Sequence, residues 1–338
     1  MAATIKDVAK RAGVGLGTAS RVIAGNGPVS DAAVRRVRKA VEELKFRPSH
    51  AARALQKGQS QTIGVFVPLI AGSFYTPILH AIYSALRASG RQMVVDFGQS
   101  PESERQDALA GAEFLADRGC DGLITMGTAL RPADVATIAE RQPRFVLLNR
   151  SIAGLKEHCF NPDHRAAGAT AARALCEAGH RRVAVIEGPK TARDNTLRMR
   201  GFHEALRRHG TDPERIPRAR GDFSPESGRA CVRELLERDV PFTALFCAND
   251  EMAIGAISYL REAGVDVPGQ CSVMGYDGIA LSALTVPPLT TVLIPWREVA
   301  TNALNYLLNL CYGGSLPVRR DIPSQVLWRG SVAHVDPG

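Results

Sequence analysis

The sequence lacks the features of a membrane-spanning or exported protein. None of its apolar runs reaches the roughly 18 to 20 residues that a membrane-spanning helix needs. The N-terminus also lacks a charged stretch followed by an apolar stretch and a small-residue cleavage site. We therefore expect no membrane contact and no signal peptide, and we expect a cytoplasmic location.

Cysteine is present, but never in a pattern typical of metal binding or disulfide pairing. The seven cysteines are scattered along the chain, and no Cys-x-x-Cys pair occurs. Structural zinc sites and disulfide frameworks need clustered or regularly spaced cysteines. We predict no metal site, no disulfide and a reducing compartment, and we interpret Cys176, Cys231 and Cys311 as small buried side chains of helices.

Common catalytic motifs are absent as well. The sequence contains no Walker phosphate-binding loop, no Gly-x-Ser-x-Gly and no His-Glu-x-x-His. We therefore predict no catalytic residues and no cofactor. A sugar-modifying enzyme or a plain sugar-binding protein with the same body is kept as the alternative interpretation.

Positive charge is concentrated at one end of the chain. Residues 1–60 contain twelve Lys or Arg and four Asp or Glu, which gives a net charge of +8. The whole chain also has a net charge of +8, so the remainder is neutral. A compact basic module in front of a neutral body indicates that a polyanion-binding module is joined to a second functional unit.

Three short helices are predicted in the basic module. Thr4 and Asp7 form a capping-box pattern at the first helix, and the second runs from about Leu16 to Ile23. Ser30 caps the third helix. Two helices joined by a tight turn and braced by a third form a helix-turn-helix, in which the second helix enters the major groove of DNA. The third helix has the apolar stripe Val34, Val37, Val41 and Leu44.

From residue 62 onward, short apolar runs alternate with amphipathic helical patterns. Buried strands separated by helices imply parallel sheets, and a second series of such elements implies two similar α/β subdomains. The predicted strands are Ile63–Val67, Met93–Phe97, Gly122–Thr125, Phe145–Leu148, Val183–Ile186, Ala244–Cys247, Ser272–Gly275 and Val326–Trp328. The predicted helices are Pro77–Ser89, Glu102–Arg118, Pro132–Gln142, Arg165–Ala178, Arg198–His209, Pro225–Glu237, Asp250–Ala263 and Trp296–Leu310.

Aromatic, amide, carboxylate and arginine side chains follow the predicted strands. In an open parallel sheet, ligands bind beyond the carboxyl ends of the strands. Such side chains suit a polyhydroxyl or heterocyclic ligand, because charged groups make directional hydrogen bonds and aromatic faces stack on rings. The residues concerned are Phe74, Tyr75, Asn149, Arg150, Arg198, Asn249, Tyr276 and Asp277.

Each of these side chains also has a structural interpretation. Asn249 is placed to cap the following helix, Asp277 to cap a turn, and Arg198 to form a surface ion pair with Glu204 or another acid. The aromatic side chains Phe74, Tyr75 and Phe223 are candidates for the core, and Tyr276 fits the core better than the site. Convergence of the polar groups on one cleft is what favours a binding site.

Three motifs in order resemble the N-terminus of LacI/GalR transcriptional repressors. They are TIKDVAKRAGV, then T-x-S-R-V, then RPSHAARAL leading into TIGVFVP. The similarity continues through CANDEMAIG, GYD and PPLTTV to the C-terminal region. The resemblance implies a type I periplasmic-binding-protein-like core behind the helix-turn-helix, and a homodimer that binds double-stranded operator DNA under control of a small-molecule effector.

The resemblance assigns DNA contacts to specific residues. Base-reading positions are occupied by Leu16, Gly17 and Arg21, and Thr18, Ser20 and Thr4 complete the set in the module. Since Gly17 has no side chain, we expect Arg21 to dominate direct readout, with guanine as its partner. Gly15 and Ala24 also depart from the usual capping Ser and a frequent Asn. The residues expected to enter the minor groove from a hinge helix are Ala52 and Leu55.

The effector site is assigned in the same way. Asn249, Asp277 and Arg198 match the usual effector-contacting positions, and Phe223 matches the stacking Phe of the purine-repressor branch. Ala192 and Asp194 replace residues of that branch's purine-contacting loop. We therefore expect a sugar, sugar acid or nucleoside/purine, with Phe74, Tyr75 and Asn149 completing the set.

The expected division of the chain follows from these assignments. Residues 1–48 form the helix-turn-helix domain, and 49–61 form the hinge helix and linker. Residues 62–338 form the core. Its N-subdomain is expected at about 62–161 and 293–324, and its C-subdomain at about 162–292 and 325–338. The C-terminal tail lacks heptads, so a coiled coil that pairs dimers is not predicted.

Overall fold

A computed structural model describes residues 3–25, 27–46, 59–70, 72–100, 103–127, 129–238 and 240–336. Two compact units are present and are described separately: residues 1–62 together with 119–121, and residues 63–118 together with 122–338. The proposed hinge contacts Ala52 and Leu55 lie outside the described residues. None of the helices in the described ranges has both the length and the apolar character needed to span a bilayer.

The basic module contains the three predicted helices, α1 (Ile5–Ala12), α2 (Leu16–Ala24) and α3 (Asp31–Glu43). Thr4 and Asp7 form the predicted capping box at α1, and the Ser30 side chain accepts a hydrogen bond from Ala33 N at the start of α3. Helix α1 ends at Gly13, whose φ of 62° is the left-handed conformation that glycine tolerates best. The α2 N-cap is Gly15, which has no side chain to satisfy the helix start.

A small apolar core joins these three helices. Val8, Ala19 and Val37 are fully buried, one from each helix. Of the predicted α3 stripe, Val41 and Leu44 pack partly buried against this core. Val34 is only partly buried, because Ala33 and Ala40 take the inner positions beside Val37. The helix-turn-helix is therefore held by a few small side chains, and its charged residues are left at the surface.

The larger unit contains two α/β subdomains, each built on one sheet. The first sheet has the order β2-β1-β3-β4-β5, and the second has the order β11-β10-β9-β8-β6-β7. Only β11 runs antiparallel to its neighbour among the pairings described. The strands are β1 (Thr62–Val67), β2 (Gln92–Phe97), β3 (Gly122–Met126), β4 (Phe145–Leu148), β5 (Cys159–Phe160), β6 (Val183–Glu187), β7 (Arg218–Arg220), β8 (Ala244–Cys247), β9 (Ser272–Asp277), β10 (Thr290–Leu293) and β11 (Gln325–Leu327).

Helices cover both sheets, and the last one returns to the first subdomain. That final helix packs against β3, β4, β5 and the first helix of the core, so the chain crosses between subdomains near its end. Short 3-10 turns occur at Lys156–His158 and Ala280–Ala283. The core helices are α4 (Tyr75–Ala88), α5 (Glu104–Asp117), α6 (Pro132–Arg141), α7 (His164–Glu177), α8 (Arg193–Arg208), α9 (Pro225–Glu237), α10 (Asp250–Glu262) and α11 (Trp296–Tyr312).

The observed elements follow the sequence pattern with two differences. Strands β5, β7 and β10 were not predicted, because β5 has only two residues and because β7 and β10 contain arginine and threonine rather than an unbroken apolar run. Helix α8 begins at Arg193 rather than at the expected Arg198. Its first turn is polar and its N-cap Ala192 makes no side-chain cap bond, so the sequence gives no start signal there.

Reciprocal glycines allow two helix pairs of the second subdomain to touch backbone to backbone. An added Cβ at Gly168 of α7 would lie 2.0 Å from Arg198 O of α8, and one at Gly201 of α8 would lie 1.8 Å from Arg165 O of α7. The pair α9 and α10 repeats this arrangement at Gly228 and Gly255. No side chain larger than hydrogen fits at these crossings, so they fix the spacing of the helices.

We expect Gly201→Ala to destabilise the core by at least about 2 kcal/mol, because its methyl group would overlap a backbone carbonyl that cannot rotate away. The measurement is the denaturant midpoint, with Arg208→Ala as control because Arg208 is exposed on the same helix. Equal midpoints for the two variants would contradict this account of the α7–α8 crossing.

Candidate functional site

The start of α2 presents the residues expected to contact DNA. Leu16, Gly17 and Arg21 are exposed, whereas Thr18 and Ser20 are half-buried. The Arg21 Nε donates to Gly17 O at 3.2 Å, so the side chain lies back along the helix. The first turn of α2 contains no acidic residue, which leaves the partial positive charge of the helix N-terminus available to an anion.

Two acidic residues of the module are held by hydrogen bonds and an ion pair within it. Thr4 is exposed, and its hydroxyl donates to Asp7 at 2.7 Å, which ties that acid to the start of α1. These hydrogen bonds from Thr4 hold the pKa of Asp7 below its ordinary value. On α3, Glu43 pairs with Arg11 at 2.7 Å.

In the larger unit, a buried chain of polar groups joins the ends of β4 and β9. Asn149 follows β4 with a φ of 66°, and its Oδ1 lies 2.8 Å from His164 Nε2. The other ring nitrogen of His164 lies 2.8 Å from the Tyr276 hydroxyl. Donation from Nε2 to Asn149 and acceptance at Nδ1 from Tyr276 satisfy a neutral imidazole. Burial lowers the pKa of His164 to about 4, which agrees with this neutral form.

Arg198 lies beside this chain as a buried cation. Its side chain is only 2% exposed, and its Nη2 lies 3.3 Å from an Asp194 oxygen. Its Nη1 donates to Ala248 O at the end of β8, and its guanidinium lies 3.7 Å from the centre of the Tyr276 ring. Although burial alone would raise the pKa of Asp194, the charge of Arg198 lowers it. The acid that pairs with Arg198 is thus Asp194 rather than Glu204, which pairs with Arg165 and Arg200, and the pair is buried rather than at the surface.

Asp277 is the last residue of β9 and lies beside the aromatic side chain of Trp296. Its backbone has a φ of 109°, which is unusual for a residue with a side chain. Its Oδ1 accepts a hydrogen bond from Trp296 Nε1 at 3.4 Å, and Phe74 packs edge-on against Trp296 at 5.2 Å and against Tyr75 at 4.9 Å. Burial raises the pKa of Asp277 well above its ordinary value, so a ligand hydroxyl that donates to it meets an acceptor poorly solvated by water.

Asn249 and Phe223 are held together by the backbone. Asn249 caps α10 by accepting from Met252 N at 3.0 Å, and its amide donates to Phe223 O at 2.9 Å. Phe223 itself has a φ of 76°. Gly188 makes room for the Phe223 ring, since an added Cβ would lie 2.4 Å from it. The capping interpretation of Asn249 is therefore correct, and its amide also fixes Phe223 in place.

The sequence did not single out His164 and Trp296 as site residues, whereas it did place Arg150 among the side chains that follow a strand. His164 and Trp296 begin helices that follow β5 and β10, and because these two short strands were not predicted, the strand-end rule did not find the two residues. Arg150 does follow β4; it is 5% exposed, and its Nε has no hydrogen-bond partner among the described residues. A buried donor without a partner next to Asn149 is a group that a ligand could satisfy.

One hydrogen-bonded contact spans the two subdomains at the mouth of the cleft. Glu251 Oε1, in the first turn of α10, accepts from Ser73 N at 2.7 Å and from Ser73 Oγ at 3.0 Å. The neighbouring Gly72 has a φ of 72°, and an added Cβ there would lie 2.6 Å from the same oxygen. This contact holds the loop before Phe74 against the second subdomain.

An exposed helix start on a basic module and a polar cleft between two parallel-sheet subdomains define a DNA-binding regulator with a ligand-binding core. Residues 4–49 match the model of the bacterial regulatory proteins of the lacI family, and residues 172–332 match the periplasmic binding protein-like domain. The chain belongs to the lacI family of bacterial regulatory proteins, and it is a transcriptional regulator rather than an enzyme.

The transcriptional regulator AscG of Escherichia coli K12 is 34% identical over 97% of this chain and 98% of its own length. The lac repressor dimer bound to operator and an anti-inducer has a TM-score of 0.85 at 27% identity, with 98% of this chain and 100% of that chain covered. A complex of the regulator CelR with cellobiose has a TM-score of 0.70 at 30% identity, with 97% and 99% covered. These comparisons confirm the predicted family and fold class.

We expect the stability of the core to fall on acidification through the titration of His164. Its pKa is 6.5 in the unfolded chain and about 4 in the folded chain, so protonation between these values favours unfolding and costs on the order of 3 kcal/mol in full. The midpoint temperature of thermal unfolding, measured from pH 7 to pH 4, should fall less steeply for His164→Gln than for the parent. The exposed His209→Gln is the control, and parallel curves for all three proteins would contradict this role.

Proposed function

We propose that this regulator is a dimeric repressor whose operator affinity is set by a sugar-like effector bound between the core subdomains. The observation that carries this proposal is a chain of contacts between the two subdomains: half-buried Asn149 of the first contacts His164 of the second, His164 contacts Tyr276, and the Tyr276 ring lies against Arg198. Arg150 follows Asn149 in sequence, and Asp277 follows Tyr276. The proposed division is residues 1–48 for DNA binding, 49–61 for the hinge, and 62–338 for the core with the subdomain bounds given above.

The DNA-binding role is assigned to the exposed start of α2. Arg21 supplies direct readout, Leu16 supplies apolar contact with bases, and Thr18, Ser20 and Thr4 bind phosphates or bases. Gly17 lets the backbone approach the groove, since nothing lies within 4 Å of the position of its missing Cβ. The hinge residues Ala52 and Leu55 are assigned to the minor groove on the family resemblance alone. Because it acts on DNA, we place the protein in the bacterial cytoplasm.

The character of the cleft supports a polyhydroxyl effector. Arg198 and Arg150 offer donors, Asp277 and Asn149 offer acceptors, and the rings of Phe223, Phe74 and Tyr75 supply apolar faces. This alternation of donors, acceptors and ring faces matches a sugar, which has hydroxyl groups at its edge and C–H groups on its faces. CelR with bound cellobiose is a relative with such a ligand.

Coupling between the two sites follows from the position of the cleft. A ligand that contacts both subdomains binds one relative arrangement of them better than another, and shifts the population toward it. In a dimer, as in the lac repressor complex, such a shift changes how two DNA-binding modules meet one operator. Coupling free energies of this kind are typically about 1–3 kcal/mol.

Arg21→Ala should weaken binding to the selected operator by about 1–3 kcal/mol and lower its preference over a scrambled duplex, because base contacts carry specificity. The operator is first selected from a random duplex pool, and affinities are measured by fluorescence anisotropy. Lys39→Ala is the matched control, since Lys39 is an exposed cation on α3. If Arg21→Ala lost the same amount of affinity for the operator and for the scrambled duplex, the assignment of base readout to Arg21 would be wrong.

Asp277→Ala should abolish the effector response and retain operator binding, because the cleft loses its main buried acceptor while the module is unchanged. The readout is release or recruitment on the operator with a ligand found by thermal-shift screening of sugars, sugar acids and nucleosides. Asp266→Ala is the control, as Asp266 is exposed on the second subdomain. An unaltered response in Asp277→Ala would refute the proposed site.

A further inference from the structure

Asp277 begins a turn whose unfavourable backbone conformation must be stabilised by other residues. Asp277 and Gly278 have consecutive positive φ values of 109° and 75°. For a residue with a side chain, such a conformation costs free energy and persists only where the surroundings enforce it. The position of the Asp277 carboxyl group therefore depends on whatever holds the turn after β9.

The buried side chain that binds this turn is the carboxylate of Asp250, while the Asp277 carbonyl accepts from Ile294 N at 3.2 Å. Asp250 is the first residue of α10 and is fully buried. Its Oδ2 accepts from Ile279 N at 2.8 Å, and its Oδ1 accepts from the Thr291 hydroxyl of β10. Burial raises the pKa of Asp250 to about 7, and hydrogen bonds from Thr291, Ile279 and Gly278 oppose that rise.

The turn presents two successive backbone N–H groups to one carboxylate, as an anion-binding nest does. These groups are Gly278 N and Ile279 N, and the Asp250 carboxylate on the neighbouring helix accepts from both. Strand β9 also passes close to the Asp250 carboxylate, since an added Cβ at Gly275 would lie 2.2 Å from Asp250 Oδ1.

We propose that Asp250 is a positioning residue for the effector site: by binding the nest at Gly278 and Ile279, it holds Asp277 in the cleft without touching the effector. This inference rests on the proposed role of Asp277 in effector binding. Asp250 adjoins Asn249, which caps α10 and holds Phe223. The start of α10 thus sets two walls of the cleft at once.

The arrangement also extends away from the cleft. The Ser282 hydroxyl donates to Ile279 O at 2.6 Å, and Arg329 Nη1 donates to the Ser282 oxygen at 3.0 Å and to Leu289 O. These contacts hold the far side of the turn independently of Asp250, so loss of the Asp250 carboxylate should loosen mainly Asp277 and Gly278. A change in the position of Asp277 should therefore alter the exposure of Trp296, whose Nε1 donates to the Asp277 carboxyl group.

The test uses the intrinsic fluorescence of Trp296 in the full chain. The sequence has two tryptophans, and Trp328→Phe leaves Trp296 as the single emitter; Trp328 is 48% exposed. In this background, Asp250→Ala should raise the acrylamide quenching constant of Trp296 at least about twofold, because the 6% exposed indole loses its hydrogen bond to a displaced Asp277.

Asp250→Asn should restore the parent value. Its carbonyl oxygen can accept from Gly278 and Ile279 while its amide donates to the Thr291 oxygen. Asp266→Ala is the matched control. Far-UV circular dichroism checks that each variant is folded. If Asp250→Ala is unfolded, Asp250→Ser replaces it, because the serine side chain is too short for its hydroxyl to reach Gly278 N and Ile279 N.

Parent-like quenching in a folded Asp250→Ala or Asp250→Ser variant would overturn the proposal, as would an Asp250→Asn variant quenched as strongly as the alanine variant. The fluorescence readout needs neither effector nor DNA. If the quenching pattern is as expected and Asp277→Ala still responds to effector, the proposed effector site fails while the positioning of Asp277 by Asp250 stands.

Discussion

The cleft of this regulator depends on the cost of burying charge. Arg198 is almost fully removed from water, and a buried cation is tolerated only where anions, carbonyl oxygens and aromatic faces compensate it. Asp194, Ala248 O and the Tyr276 ring supply that compensation. Tyr276 in turn needs His164, and His164 needs Asn149 from the first subdomain. One buried guanidinium thus requires groups from both subdomains to meet.

The two units use charge in opposite ways. In the basic module the charged groups stay in water, so their attraction to DNA is long-ranged and sensitive to salt. In the cleft the charges are buried and locally paired, so their effects are short-ranged and depend on geometry. The Glu251–Ser73 contact at the mouth of the cleft follows the second rule, because its two hydrogen bonds exist only when the subdomains are in this arrangement.

Much of the fold was predictable because it follows local rules. Residues close together in the sequence determine the capping box at Thr4 and the cap at Ser30. They also determine the alternation of buried strands with helices. The missed parts depend on tertiary context. Strand β10 has four residues, and its place in the sheet is set by β9 and β11.

The candidate site was predictable to a similar degree. Asn149, Asn249 and Asp277 follow strands and were found by that rule. His164 and Trp296 were not, since their roles come from residues more than 15 positions away that only folding brings close. The part of Asn249 in holding Phe223 likewise depends on a backbone carbonyl, which no side-chain pattern reveals. The roles of these residues toward an effector stay predictions, as do those of Ala52 and Leu55 toward DNA.

The most direct test of the central claim is the affinity of the full-length protein for its selected operator, measured with and without saturating effector at fixed salt. The account predicts a change of roughly 5- to 150-fold, and an equal factor in effector affinity when operator is present, because coupling between two binding sites is reciprocal. Identical operator affinity in both conditions, with effector binding independently shown, would contradict the claim that the cleft controls the DNA-binding module.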